Sequence, residues 1–103
     1  MSLDAINAND YGYTLTLTVI DTDTDSAADV SAYTTSQELV LKDPDDNEAT
    51  VTASFDTDGS DGVVTYTVAD GDIDEAGVWH VRVKLTSGTS VLRSEWKSFT
   101  VGL

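Results

Sequence analysis

Apolar and polar residues alternate with a period of two along most of this chain. The clearest case is residues 78–86, in which the apolar residues Trp79, Val81, Val83 and Leu85 are separated by His80, Arg82 and Lys84. A period of two indicates a half-buried β-strand, whereas a helix would repeat every 3.6 residues. No helical period persists for more than about one turn, so we predict an all-β chain. The same alternation recurs in residues 13–19, 37–42, 49–55 and 64–68.

The last two strands are predicted to form a hairpin, because the glycine-containing residues 87–90 reverse the chain direction. The final strand changes phase along its length. Leu92 and Trp96 share one parity, whereas Phe99 has the other. A change of phase within a strand indicates an extra residue, so we predict a β-bulge near residues 97–98.

The connections between these strands are short, acidic and rich in aspartate, asparagine and glycine, which favour turns. Six or seven short strands at this spacing are typical of a two-sheet antiparallel sandwich. We therefore predict one β-sandwich domain over residues 1–103. Its predicted core consists of Tyr13, Leu15, Leu17, Val19, Leu39, Leu41, Val51, Phe55, Val64, Tyr66, Val68, Trp79, Val81, Val83, Leu85 and Phe99.

Composition narrows the possible partners. The chain has 103 residues and no cysteine, so neither a disulfide nor thiol chemistry is available. No segment approaches the roughly 20 apolar residues of a membrane span, so we expect no membrane partner. Nineteen acidic residues oppose five basic ones and give a net charge of −14. Such a surface repels phosphate backbones, so we expect no nucleic-acid partner.

The positive charge is concentrated near the C-terminal end of the chain. Four of the five basic residues follow residue 77, namely Arg82, Lys84, Arg93 and Lys97. Arg82 and Lys84 share one parity, as do Arg93 and Lys97, so we predict that all four line one outward sheet face. In a strongly acidic domain, that face is expected to bind an acidic partner, with internal ion pairing as the alternative.

Trp96 is the fifth residue predicted to bind a partner. It lies beside the change of phase and between two charged neighbours, Glu95 and Lys97. Two interpretations stay open at this point. Trp96 is either a second core aromatic or a partly exposed anchor for a partner protein or a sugar.

Metal binding and catalysis find little support in the sequence. Aspartates alternate in residues 21–25 and 70–74, but neither run continues with the glycine and glutamate of an EF-hand loop. We predict ordinary acidic turns and no metal ligand, with an irregular calcium site as the alternative. His80 is the only histidine, and no Gly-x-Ser-x-Gly motif accompanies it. We therefore expect no catalytic residue, no cofactor and no enzymatic activity.

A resemblance to known domains begins at the motif Glu75-x-Gly77-x-Trp79-x-Val81. It resembles the corner that leads into strand F of immunoglobulin-like domains, with Trp79 in the place of the usual tyrosine. The resemblance extends over residues 11–101. The order of strands and acidic turns there is similar to the N-terminal immunoglobulin-like domain of phage baseplate upper proteins, and to related small virion proteins of tailed phages.

The resemblance implies an immunoglobulin-like antiparallel β-sandwich of about seven strands. It also implies a non-enzymatic structural protein of a tailed-phage virion, located at the tail, baseplate, neck or capsid surface. The expected partners are other virion proteins and further copies of this chain in a symmetric assembly. The alternative is a carbohydrate-binding or adhesion module, with or without calcium.

Overall fold

The computed structural model describes residues 6–21 and 23–102, which form an all-β structure without a helix. The prediction of an all-β chain is therefore confirmed. Three of the strands contain only two residues each. In chain order the strands are β1 Thr14–Thr18, β2 Ile20–Asp21, β3 Ser26–Ala27, β4 Ser36–Lys42, β5 Glu48–Thr52, β6 Ser54–Phe55, β7 Val63–Thr67, β8 Gly77–Ser87, β9 Ser90–Arg93 and β10 Lys97–Val101.

The strands form two larger sheets and one short ribbon. The three-stranded sheet has the order β1-β7-β6. The five-stranded sheet has the order β10-β8-β4-β5, and β9 also pairs with β8. The ribbon consists of β2 and β3, and all ladders between named strands are antiparallel. A parallel bridge joins Asn7 to Gly102 beside the end of β10.

Strand β8 is the centre of the five-stranded sheet. It is 11 residues long, and its odd-numbered residues from Trp79 to Leu85 are buried while its even-numbered residues are partly exposed. It pairs with β4 along one side, from Ser36 opposite Thr86 to Lys42 opposite His80. Its other side pairs with β9 and then with β10. The alternation predicted for residues 78–86 is thus confirmed.

The inward faces of both larger sheets contribute to one hydrophobic core, an arrangement compatible with a β-sandwich. Eleven predicted core residues are buried, and the other five are partly buried and pack against the core. The core also contains five buried residues that the predicted core does not include. These additional residues are Ile6, Val30, Ala53, Ile73 and Val101.

The last part of the chain contains the expected extra residue, but at a different position. Arg93 lies opposite Lys84, whereas Lys97 lies opposite Val81, so the register shifts by one residue between β9 and β10. The bulge therefore occupies residues 94–96, directly before the position near residues 97–98 that the change of phase predicts. Ser94 fixes the bulge, because its Oγ accepts a hydrogen bond of 2.9 Å from the Val83 N–H.

Replacing Ser94 with alanine is expected to lower the free energy of unfolding by about 1–2 kcal/mol. The substitution leaves the N–H of Val83, a fully buried residue, without its acceptor. Urea unfolding followed by circular dichroism measures the change. Ser98→Ala is the control, because Ser98 is exposed on the neighbouring strand β10. Equal stability of the two variants would show that the Ser94 hydroxyl does not stabilise the bulge.

Candidate functional site

Four basic residues lie on the outer face of the five-stranded sheet. Register places Arg82 opposite Val40 and Lys84 opposite Arg93, and Lys42 lies on the same outward face of β4. Residues directly opposite each other in an antiparallel ladder project to the same side of the sheet. We call Lys42, Arg82, Lys84, Arg93 and the adjacent Trp96 the basic face.

Trp96 holds the centre of the basic face. The guanidinium Cζ of Arg82 lies 4.3 Å from the centroid of the Trp96 ring, and the Nζ of Lys42 lies 4.8 Å from the same centroid. Cations at such distances are attracted by the aromatic ring, by about 0.5–1 kcal/mol each at an exposed site. Trp96 is half-buried and does not belong to the core cluster that the described residues form. The interpretation of Trp96 as a second core aromatic is therefore wrong.

Arg82 is positioned by packing more than by hydrogen bonds. Within the described part of the chain, its Nε atom is buried and has no hydrogen-bond partner. Val40, the residue opposite Arg82, is only 5% exposed although it faces away from the core. The Arg82 side chain is thus held against the ring of Trp96. A guanidinium fixed in this way can donate two parallel hydrogen bonds to a carboxylate.

The charges on the basic face are only partly balanced within the chain. Register places Glu38 opposite Lys84 and Glu48 opposite Lys42. Opposite charges at such cross-strand positions attract each other weakly. The positions opposite the two arginines hold Val40 and Lys84 instead. Arg82 and Arg93 are therefore the two cations of the basic face that have no acidic residue directly opposite in the sheet.

Lys97 does not belong to the basic face. It lies opposite Val81, an inward-facing core residue, because the bulge reverses the phase of the chain after Arg93. The prediction that four basic residues share one face is wrong for Lys97. Lys42 takes its place, and sequence reasoning missed it because the register between β4 and β8 is not visible in the sequence. Its outward parity in residues 37–42 was the only available signal.

Lys97 lines an open groove between the end of β1 and the bulge, together with Arg93 and Trp96 of the basic face. The groove has a volume of about 570 Å³. Its walls mix apolar side chains, such as Leu17 and Leu92, with charged ones of both signs, such as Asp21 and Arg93. Its size is in the range of small-molecule sites, but no catalytic constellation lines it.

Many carboxylates of this acidic chain stabilise turns. Asp29 Oδ1 accepts hydrogen bonds from the Ser31 N–H and hydroxyl at 3.0 and 2.7 Å, and Asp58 does the same for Ser60. The serine hydroxyl and then the backbone N–H hold the pKa of each of these aspartates below its usual range. In residues 70–74, Asp72 accepts from the Ala69 N–H. These bonds are typical of aspartate in turns.

One group of carboxylates lies where two turns of the chain meet. Oxygen atoms of Asp43, Asp45 and Glu75 lie within 4.8 Å of one another. Neither aspartate run from the sequence forms this group, and acidic groups of this kind are common without an ion. Burial, a hydrogen bond to Asp45 and repulsion from nearby carboxylates raise the pKa of Glu75.

Glu75→Gln is expected to raise the melting temperature near pH 7. Because the pKa of Glu75 is raised in the folded chain, the folded chain binds this proton more readily than the unfolded chain does. The resulting stability is present below the ordinary pKa of about 4.3 and is lost as the pH rises through the raised value. The gain from Glu75→Gln should therefore shrink as the pH falls towards about 4. Thermal unfolding of both chains between about pH 4 and pH 7 measures this gain in melting temperature.

Glu95→Gln is the control for the change in net charge, because Glu95 is exposed and lies in the bulge rather than in the carboxylate group. It should not reproduce the pH dependence. Glutamate titrates between about pH 4 and pH 7. If Glu75→Gln raised the melting temperature equally at both ends of this range, the raised pKa of Glu75 would not be the cause of the effect.

His80 lies on the outer face opposite Lys42 and is partly exposed. Within the described ranges it belongs to no group of metal-ligating side chains. No helix in the described part of the chain has the length and apolar character that crossing a membrane requires. Comparison with protein-family models, with curated proteins and with solved structures found no match.

Proposed function

We propose that this chain is an immunoglobulin-like domain that acts as a non-enzymatic structural protein of a tailed-phage virion. The virion assignment rests on the resemblance in sequence over residues 11–101. In this proposal the domain is one of several copies on the tail, baseplate, neck or capsid surface. It packs against other virion proteins by shape and charge complementarity.

The strand order supports the immunoglobulin-like part of the proposal. In immunoglobulin domains, strands B, E and D lie in one sheet, and strands C, F and G lie in the other, extended by C′ in variable-type domains. The orders β1-β7-β6 and β10-β8-β4-β5 correspond to B-E-D and G-F-C-C′.

The corner before β8 supports the same assignment. The Trp79 indole N–H donates a hydrogen bond of 2.8 Å to the Glu75 carbonyl, four residues upstream. In immunoglobulin-like domains the hydroxyl of the corner tyrosine bonds back to the backbone in a similar way.

The basic face is the observation that favours a binding role. It concentrates positive charge around a half-buried tryptophan, in a domain whose net charge is −14. Arginine and tryptophan are the residue types that most often dominate the energy of protein interfaces. The partner that fits is an acidic protein surface, with a carboxylate facing Arg82 and Arg93. The Arg82 guanidinium over the Trp96 ring favours such a protein partner over a sugar, which would stack on a free aromatic face.

The first test is mass spectrometry of purified phage particles from the source of this chain. Peptides of the chain should be present in the particles at a constant ratio to the other structural proteins. Their absence from the particles would overturn the virion assignment.

The second test compares two charge reversals in particle assembly. Arg93 and Lys97 are both exposed and lie on either side of the bulge, but only Arg93 belongs to the basic face. Arg93→Glu should reduce incorporation of the chain into particles about tenfold, as expected for the loss of a charged interface contact. Lys97→Glu should have little effect. Equal incorporation of the two variants would exclude the basic face as the binding surface.

A further inference from the structure

Strand β1 forms an edge that carries no charge. Residues 11–20 are the longest uncharged segment in a chain that has 24 charged residues. Strand β1 lies within this segment and, among residues 6–21 and 23–102, has β7 as its only neighbour in the three-stranded sheet. Exposed edges of this kind pair readily with other strands, and natural proteins usually protect them with charges or proline.

The free side of β1 offers backbone groups in a regular pattern. The Val68 N–H donates to the Tyr13 carbonyl, and the Val19 N–H donates to the Gly62 carbonyl. Residues of odd number therefore direct their backbone groups towards β7. Since these directions alternate along an antiparallel strand, Thr14, Thr16 and Thr18 direct theirs to the free side.

The other sheet edges in the described part of the chain are shorter or protected. Strand β10 begins at Lys97, and Asn7 bridges Gly102 just beyond its end. Strand β5 begins with the charged residue Glu48, and β6 contains only two residues. Strand β1 is thus the edge best suited to accept another strand.

The sequence of β1 identifies the strand that fits best. It reads Thr-Leu-Thr-Leu-Thr and is the same in both directions. We propose that β1 pairs antiparallel with β1 of a second copy of this chain, about a two-fold axis at Thr16. Such an isologous contact uses the same surface on both copies.

This register matches side chains on both faces. Thr14 lies opposite Thr18 of the second copy and Thr16 lies opposite its own counterpart, so exposed threonines pair with threonines. Leu15 lies opposite Leu17 on the core side, which extends the apolar layer from one copy to the other. Cross-strand pairs of these types stabilise antiparallel sheets. The two three-stranded sheets become one continuous sheet.

The net charge sets the conditions under which the dimer forms. Two copies of −14 repel each other, but no charged side chain lies at the contact itself. Salt screens the long-range repulsion and does not weaken the contact, so dimerisation should strengthen with ionic strength. Binding of an acidic partner to the basic face should weaken as the ionic strength rises, because salt screens the attraction between opposite charges. The dimer does not depend on the virion assignment, and either can fail without the other.

Sedimentation velocity of the full chain in about 0.5 M NaCl tests the proposal, because the Debye length there is only roughly 4 Å. The unmodified chain should form a dimer. Thr16→Lys places two like charges opposite each other on the axis and should raise the dimer dissociation constant about tenfold or more. Thr65→Lys is the matched control, since Thr65 lies opposite Thr16 on the same face but on the inner strand β7.

Mixing two variants tests the register directly. Thr16→Lys and Thr16→Glu chains should each be monomeric alone and should form a heterodimer together, because opposite charges then meet on the axis. Thr16→Pro removes the N–H that faces the second copy while the ladder to β7 is kept, and it should also give monomers.

Three results would overturn the proposal. One is an unmodified chain that stays monomeric at high salt and high protein concentration. Another is equal loss of dimer in Thr16→Lys and Thr65→Lys. The third is the absence of a heterodimer when the Thr16→Lys and Thr16→Glu chains, each folded by circular dichroism, are mixed.

Discussion

Replacing Trp79 with alanine should lower the free energy of unfolding by about 3–5 kcal/mol, the cost of removing a large buried aromatic. Trp79 is 4% exposed and its ring stacks on Phe99, with 6.4 Å between the ring centroids. Its indole N–H also donates to the Glu75 carbonyl. Small domains have a total stability of only about 5–15 kcal/mol, so this single change should remove a large part of it.

Two further variants separate the contributions of Trp79. Trp79→Phe retains an aromatic ring but leaves the Glu75 carbonyl without its donor, so it should cost less than Trp79→Ala. Trp96→Ala is the matched control for the loss of an indole, because Trp96 lies outside the core on the basic face. It should cost about 1–2 kcal/mol, the sum of its two exposed cation–aromatic contacts.

Urea unfolding followed by far-ultraviolet circular dichroism is the appropriate measurement, because all three variants remove a tryptophan and so change the fluorescence itself. A similar loss of stability in Trp79→Ala and Trp96→Ala would contradict the assignment of Trp79 to the core. An unchanged stability in Trp79→Phe would show that the corner hydrogen bond contributes little.

The alternation of apolar residues predicted the strands because the physical requirement is local. Each strand has one face in the core, so every second residue from Trp79 to Leu85 must be apolar. Three of the buried residues that the predicted core omits, Ile6, Val30 and Ile73, lie outside the named strands, where no period exists. Ile73 is fully buried within an aspartate-rich turn, and its carbonyl accepts a hydrogen bond from the Asn9 N–H. Nothing in the local sequence indicates that contact.

The candidate site was less predictable because it depends on register. Whether Arg93 and Lys97 share a face is decided by one extra residue at the bulge, and the change of phase in the sequence did not locate it. The contribution of Lys42 depends on how β4 pairs with β8, although the two strands are far apart in the chain. The contact of Lys42 and Arg82 with Trp96 depends both on the bulge and on the pairing of β4 with β8. Parity within one strand could not reveal it.

The group of Asp43, Asp45 and Glu75 could not be predicted from the sequence either. In the sequence, aspartates alternate within single loops, at residues 21–25 and 70–74. The group in the structure instead combines Asp43 and Asp45 of one turn with Glu75 of another. The spacing of ligands along the chain is informative for a single continuous loop. It carries no information about carboxylates that tertiary packing brings together.

Gly62→Ala should destabilise the chain by about 2–5 kcal/mol, through the sum of backbone strain and steric overlap. Gly62 has a φ of +73°, and a Cβ there would lie 2.7 Å from the Ala28 carbonyl oxygen and 2.9 Å from that of Val19. Both atoms belong to the backbone and are held in place. The Ala28 N–H donates to the Val19 carbonyl, and the Val19 N–H donates to the Gly62 carbonyl.

Gly71→Ala isolates the steric part of this effect. Gly71 has a φ of +90° and no atom within 4 Å of an added Cβ, so alanine there should cost only the backbone strain of about 1–2 kcal/mol. The difference between the two variants, measured by urea unfolding, should be about 1–3 kcal/mol, as for other overpacked sites. Equal losses would mean that the backbone segments around Gly62 move apart at little cost. In that case the junction at the end of β1 would be softer than its hydrogen bonds indicate.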